Sequence, residues 1–216
     1  MMDFPALAQH VIAGRADEVG TLTRQALDEG VPAQDILERG LIAGMQVIGA
    51  RFRANEIFLP EVLIAARAMK AGMAHLEPVM AACGIAPIGK FLIGTVKGDI
   101  HDIGKNLVAA MMRGAGFQVI DLGIDVPVDK FVKAIEQHRP DIVGMSALLT
   151  TTMRQMQVNM KAFRDRGLLE RVHVMIGGPT ITKEWAASIG ATYARDAMTA
   201  VQLAQEMLQE KKAAGV

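Results

Sequence analysis

The sequence predicts two architectures in series: a four-helix bundle, then a doubly wound sheet of parallel strands with helices on both faces. Three observations predict it. Apolar residues recur at helical spacing through residue 83. The stretch Gly84–Gly89, which carries glycines and a proline, interrupts that pattern. Beyond it, apolar runs of strand length alternate with helical patterns.

In the first part the apolar positions are Leu22, Ala26 and Leu27, then Ile36, Leu37, Leu41, Met45 and Ile48, then Leu59, Val62, Leu63, Ala66 and Met69. Gly30 with Pro32 stops one helix and starts another. After a break at Asn55–Leu59, Pro60 fits the first turn of a helix of about twenty residues. The domain boundary is placed in the linker, giving domains 1–88 and 89–216.

In the second part the predicted strands are Phe91–Val96, Phe117–Leu122, Ile142–Met145 and Val172–Ile176. Helices are predicted over Lys105–Ala115, Val128–Gln137, Met153–Arg166, Lys183–Ile189 and Ala197–Lys212. Strand–helix alternation implies right-handed crossovers and a parallel sheet. About 125 residues in five such units suit a flavodoxin- or Rossmann-like fold, whose ligand sits outside the carboxyl ends of the strands.

Composition narrows the function classes. The 23 basic and 23 acidic residues balance, so no polycationic surface for nucleic acid is expected. The single cysteine, Cys83, excludes an intramolecular disulfide and a multi-cysteine zinc or iron–sulfur site; it is read as a buried small hydrophobe. Fifteen methionines against 4% aromatics predict a pliable aliphatic core. No apolar run approaches the ~18 residues of a membrane span. Residues 1–14 hold no Lys or Arg, so they do not form a signal peptide. A cytoplasmic protein that binds neither membrane nor nucleic acid is expected.

The chemistry-bearing residues gather at the predicted strand ends. The first strand runs into Gly98, Asp99, Ile100, His101, Asp102 and Gly104, where the glycines allow tight turns. Asp99 precedes His101 by two residues, a spacing at which a loop carboxylate can reach one ring nitrogen and leave the other to a metal. Alone, these residues read better as helix caps beside an exposed loop histidine. Lys105 hints at phosphate, but no phosphate-loop motif accompanies it. The third strand ends in Gly144, Ser146, Leu148, Thr150, Thr151 and Thr152, whose hydroxyls can face the crevice or cap a helix. The fourth ends in Gly177, Gly178 and Pro179, either a plain turn or a place where backbone approaches something bulky.

Together, Asp99-x-His101-x-x-Gly104, Ser146-x-Leu148 and Gly177-Gly178 resemble the signature of cobalamin-binding domains that hold the cofactor base-off with a protein histidine on cobalt. Methionine synthase, methyltransferase corrinoid proteins and B12-dependent mutases share it. The resemblance implies His101 as the lower axial ligand, with Asp99 bonded to it and Thr152 continuing the relay where methionine synthase has Ser. It implies cofactor contacts at Gly98, Asp99, Ile100, Asp102, Gly104, Ser146, Leu148, Thr150, Gly177 and Gly178. It also has Gly144, Ser146, Gly177 and Gly178 clearing a path for the nucleotide tail. Pro179 stands where methionine synthase has Ala. The helical part, from Gly44 to Val62, resembles the cap over the upper cobalt face, with Glu38, Met45, Phe52, Leu59 and Val62 at cap-contact positions.

The resemblance is to the cap and cobalamin domains of methionine synthase without its other domains. It therefore implies the corrinoid protein of a three-component system, of methylamine, methanol, betaine or methoxyaromatic type. Such a protein accepts a methyl group on cobalt(I) from a substrate:corrinoid methyltransferase. It passes the group to a corrinoid:acceptor methyltransferase with a thiol or folate acceptor, is rescued by a reductive activating protein, and is not catalytic alone. The alternative is a cobalamin-dependent sensor; a storage role is a third option.

Overall fold

The computed structural model describes residues 2–84 and 86–213. Ile85 of the expected linker lies outside the described residues, as do Met1 and 214–216 at the ends of the two expected domains. The chain forms two compact units. One is Met1–Ile88 with Ala110–Phe117; the other is Gly89–Ala109 with Gln118–Val216.

The described residues among 1–88 form four helical rods. They are α1 (Phe4–Ile12), α2 (Ala16–Asp28), a rod made of α3 (Ala33–Asp35), a π-helical stretch Ile36–Ile42 and α4 (Ala43–Arg53), and α5 (Leu59–Ala82). Asp3 Oδ1 accepts from Ala6 N at 3.0 Å and caps α1, with Pro5 in its first turn. Gly30, at φ +78°, ends α2 as its sequence position predicted. Asn55, at φ +56°, turns the chain toward α5, where Pro60 occupies the first turn and Glu61 Oε2 accepts from Phe58 N at 3.1 Å. Leu7, Val11, Ile36, Leu41, Ile48, Met69 and Leu76 are buried. A Cβ on Gly44 would meet Val11 Cβ at 2.7 Å, so the close approach of α4 to α1 depends on glycine there.

The second unit is a five-stranded parallel sheet in the order β2-β1-β3-β4-β5. The strands are β1 (Lys90–Thr95), β2 (Gln118–Asp121), β3 (Ile142–Ser146), β4 (His173–Gly177) and β5 (Thr192–Tyr193). The helices are α6 (Ile103–Gly114), α7 (Val128–His138), α8 (Thr150–Asp165), α9 (Lys183–Ile189) and α10 (Ala197–Ala213), with a 3-10 turn at Leu168–Glu170. From Ala110 onward α6 groups with the first unit. The strand order is the doubly wound one, and it reverses between β1 and β3, where such folds bind ligands. Register places Thr95 opposite Ser146, and Ser146 opposite Gly177, so the three motif-bearing strand ends are level.

The core of this unit is aliphatic and methionine-rich, with Leu92, Val143, Met145, Met156, Met160 and Ile176 buried around Phe131 and Phe163. Those two rings meet edge to face at 6.3 Å. Burying each ring contributes about 1.5–3 kcal/mol.

Three expectations are revised. The fifth strand, β5, is two residues long and lies at the sheet edge, without the apolar run that located the others. Helix α8 begins at Thr150 rather than Met153, so the three threonines form its first turn after the extended Leu149. Cys83 is exposed, because it caps the C-terminus of α5 beyond the helix's buried residues Leu76 and Met80. Among the described residues no helix is long and apolar enough to cross a membrane.

Candidate functional site

Between β1 and α6 the chain makes a tight loop. Gly98 turns it at φ +83°, and Asp99 N donates back to Val96 O at 3.1 Å. The turn sends the Asp99 side chain inward, where it is 1% exposed. The His101 side chain stays 48% exposed. Buried Thr95 fixes the backbone of His101: its hydroxyl donates to His101 O at 3.0 Å.

The Asp99 carboxylate accepts four hydrogen bonds. Oδ1 takes His101 N at 3.0 Å and His101 Nδ1 at 2.7 Å. Oδ2 takes Leu148 N at 2.8 Å and Thr152 Oγ1 at 2.6 Å. Burial pushes this carboxyl up, but the bonds from Thr152, His101 and Leu148 outweigh it and hold the group well below the usual carboxylate range. An ionised carboxylate only accepts, so the proton of the imidazole sits on Nδ1. Nε2 has no partner among the described residues.

The other expected site residues divide by surroundings. Ser146 is half-buried at the end of β3, where its carbonyl accepts from Val96 N at 3.0 Å. Leu148 contributes its backbone N–H to Asp99, and Thr150 is exposed in the first turn of α8. Asp102 starts α6 through its carbonyl, which accepts from Asn106 N at 2.7 Å, while its carboxylate takes the Asn106 side-chain amide at 2.9 Å. Lys105 is buried and paired with Asp121 at 2.6 Å, so it is not a free phosphate-binding cation.

The glycines are of two kinds. A Cβ on Gly104 would meet nothing within 4 Å. The chain's own packing gives no reason for glycine in that helical turn, so the open space beside it suits an outside ligand. The other three are packed against the chain itself. A Cβ on Gly144 would meet Phe91 Cζ at 2.7 Å, one on Gly177 would meet Ala194 O at 2.8 Å, and one on Gly178 would collide with Ala147 O. Their small size admits neighbouring parts of the same unit.

Sequence reading missed part of the site. Beside the expected contact Ile100, which is 69% exposed, Ile103 is 66% exposed, and Ile124 and Leu149 add exposed apolar surface on the loops that follow β2 and β3. Exposed apolar side chains on the loops at this end of the sheet suit an apolar ligand. Asp125 was missed as well, although its carboxylate binds Gly98 N at 2.7 Å. Of the cap positions, Glu38 is exposed and accepts from Gln34 at 2.8 Å, Phe52 and Leu59 are half-buried, and Met45 and Val62 are buried. Phe58 is the most exposed aromatic of that unit.

Comparison with known proteins shows the family. The B12 binding domain matches residues 89–202, and a second B12 binding domain matches residues 4–77. The chain belongs to the B12-binding proteins, and within them to the corrinoid proteins of methyltransferase systems. The dimethylamine corrinoid protein of Methanosarcina barkeri is 42% identical over 205 residues, covering 94% of this chain and 95% of that protein. A corrinoid protein of Desulfitobacterium hafniense is 41% identical over 206 residues, covering 94% and 95%. Among solved structures, a chain of the methanol:cobalamin methyltransferase complex from Methanosarcina barkeri superposes with a TM-score of 0.86 at 27% identity. It matches 94% of this chain and 78% of its own length.

The residues present fit the group. His101 leaves one ring nitrogen without a partner among the described residues, the other is held by a buried carboxylate, and the neighbouring loops carry exposed apolar side chains with open space at Gly104. Among the described residues no cluster of three His, Cys, Asp or Glu could hold an ion.

Proposed function

We propose that the chain is a methyl carrier. It receives a methyl group with a substrate:corrinoid methyltransferase and delivers it with a corrinoid:acceptor methyltransferase that uses a thiol or folate. A reductive activating protein maintains it, and it works in the cytoplasm. The relatives and the structural neighbour favour a methylamine or methanol as donor.

The observation that carries this reading is the half-exposed His101, with Nδ1 held 2.7 Å from buried Asp99 and Nε2 free. In this reading His101 Nε2 would hold the cobalt from the lower side, with the cofactor base-off and His-on. When bound, the corrinoid supplies a cobalt centre that takes up and gives up a methyl group. The chain's own residues set the ligand. Asp99 keeps the proton on Nδ1 and fixes the ring, and Thr152 lends its hydroxyl proton to Oδ2, which moderates the basicity of the carboxylate. Gly98, Ile100, Asp102, Gly104, Ser146, Leu148 and Thr150 form the surrounding wall, with Gly177 and Gly178 at the next strand end. Residues 1–88 act as the cap domain and 89–216 as the cofactor domain. Of the cap positions, Glu38 is exposed and Phe52 and Leu59 are half-buried, so these three keep surface for a ligand.

The test is the electron paramagnetic resonance spectrum of the protein loaded with cobalamin and reduced to cobalt(II). Nitrogen superhyperfine splitting that changes with nitrogen-15 histidine, and disappears in His101→Ala, is the expected result. A base-on spectrum, or splitting unaffected by His101→Ala, would sink the ligand assignment.

A further inference from the structure

We propose that Asp125 is a positioning residue for the His101 imidazole, acting through the backbone of Gly98 and Asp99. The inference rests on the axial-ligand reading above. Asp125 lies in the loop after β2, which runs past the carboxyl end of β1. Two hydrogen bonds join it to the ligand loop in opposite directions. Gly98 N donates to Asp125 Oδ1 at 2.7 Å, and Asp125 N donates to Asp99 O at 3.0 Å. One residue thus brackets the Gly98–Asp99 pair from both ends. On its other side Asp99 aims its carboxylate at His101, Leu148 and Thr152. With the Asp99 backbone clamped and its carboxylate bonded, the carboxylate's direction is fixed, and the imidazole plane follows from it.

The clamp has a firm base. Thr95 N donates to Gly123 O at 3.0 Å and Val126 N to Thr95 O at 2.9 Å, which sew the loop to β1. Asp121 accepts from Gly123 N at 2.9 Å and from buried Lys105 Nζ at 2.6 Å, which anchors the start of the loop to α6. The same strand that supplies the ligand loop therefore carries the element that clamps it.

Backbone conformation supplies the independent argument. Asp125 has φ +50°, in the left-handed region that L side chains rarely adopt. Glycine would take that conformation freely, so the turn alone does not call for a carboxylate. The bond to Gly98 N does. A strained residue with its side chain committed to the ligand loop is the signature of a site held in shape.

The experiment compares Asp125→Gly, Asp125→Asn and His101→Ala with the parent. Gly98 amide hydrogen exchange is followed in the cofactor-free chain, and nitrogen superhyperfine splitting in the cobalamin-loaded cobalt(II) protein. Asp125→Gly relieves the backbone and removes the clamp. Gly98 exchange should rise about tenfold, the effect of losing a hydrogen bond to a charged group, and the splitting should weaken or broaden. Asp125→Asn keeps an acceptor oxygen and tolerates the same φ, so both readouts should return toward the parent. If Asp125→Gly leaves both unchanged while His101→Ala abolishes the splitting, the clamp is overturned and the ligand reading stands. If His101→Ala leaves the splitting intact, the ligand reading itself has failed. Should Asp125→Gly not fold, Asp125→Ser, whose hydroxyl is too short to span to Gly98, carries the same comparison.

Discussion

Thr152 Oγ1 lies 2.6 Å from Asp99 Oδ2, and its single hydroxyl proton goes to that ionised oxygen although Leu149 O is also in reach at 3.0 Å. The pair links the first turn of α8 to the loop after β1, across 53 residues of sequence. Thr152→Val keeps the shape and removes the donor. The buried carboxylate then loses one of its four bonds, and the cofactor-free protein should lose about 1–3 kcal/mol in urea unfolding. Thr152→Ser keeps the hydroxyl and should lose less. A Thr152→Val protein as stable as the parent would show that the bond does not support the fold.

Acid should uncover the same carboxylate. The folded-state value of Asp99 is depressed from its ordinary 3.8, because its hydrogen bonds outweigh the opposing effect of burial. A depressed carboxyl stabilises the fold when the pH is above its unfolded value, and that stabilisation is lost as the pH falls through the folded one. The stability gap between parent and Asp99→Asn should therefore stay constant from about pH 6 to 8 and narrow below about pH 4. Denaturant titrations across that range check it. A gap independent of pH down to about 2 would contradict the ionised state assigned to Asp99.

Two glycines of the site should respond oppositely to alanine. Gly178 has φ +144° and a Cβ there would collide with Ala147 O, so Gly178→Ala should cost about 3 kcal/mol or more. Gly104 sits in the first turn of α6 with nothing near its missing Cβ. Gly104→Ala should leave the cofactor-free protein equal or more stable by up to about 1 kcal/mol. The same substitution should weaken retention of added cobalamin on gel filtration. Stable retention would make Gly104 an ordinary helical position.

These contrasts show which features the sequence carries. Each strand of the sheet interior is a run such as Phe91–Val96, and burial on both faces demands such a run, so the doubly wound order was legible. Strand β5 was not, because Thr192–Tyr193 lies at the edge and needs no apolar run. Asp99, His101 and Thr152 were found through spacing and resemblance. The part played by Leu148 was not, because a backbone N–H is the same in every residue and only the fold aims it at Asp99. Asp125 was invisible for a related reason: it reaches Gly98 from a loop 27 residues away. Cys83 was misread from the average burial of cysteine, which a helix end overrides.

The pair under the clamp offers an asymmetric prediction. Lys105 Nζ and Asp121 Oδ2 are 2.6 Å apart, but the lysine side chain is 2% exposed and the aspartate 26%. Removing either partner leaves the other uncompensated, and the cost depends on whether water can reach what remains. Lys105→Met leaves a carboxylate that can be solvated and should cost about 1 kcal/mol. Asp121→Ala leaves a buried ammonium whose remaining partner is Asn106 Oδ1 at 2.8 Å, and should cost about 3 kcal/mol or more. The double variant Lys105→Met with Asp121→Ala should be more stable than Asp121→Ala alone, because it removes the stranded charge. Unfolding free energies of the three proteins decide it. Equal costs for the two single variants would mean that water reaches Lys105 after all.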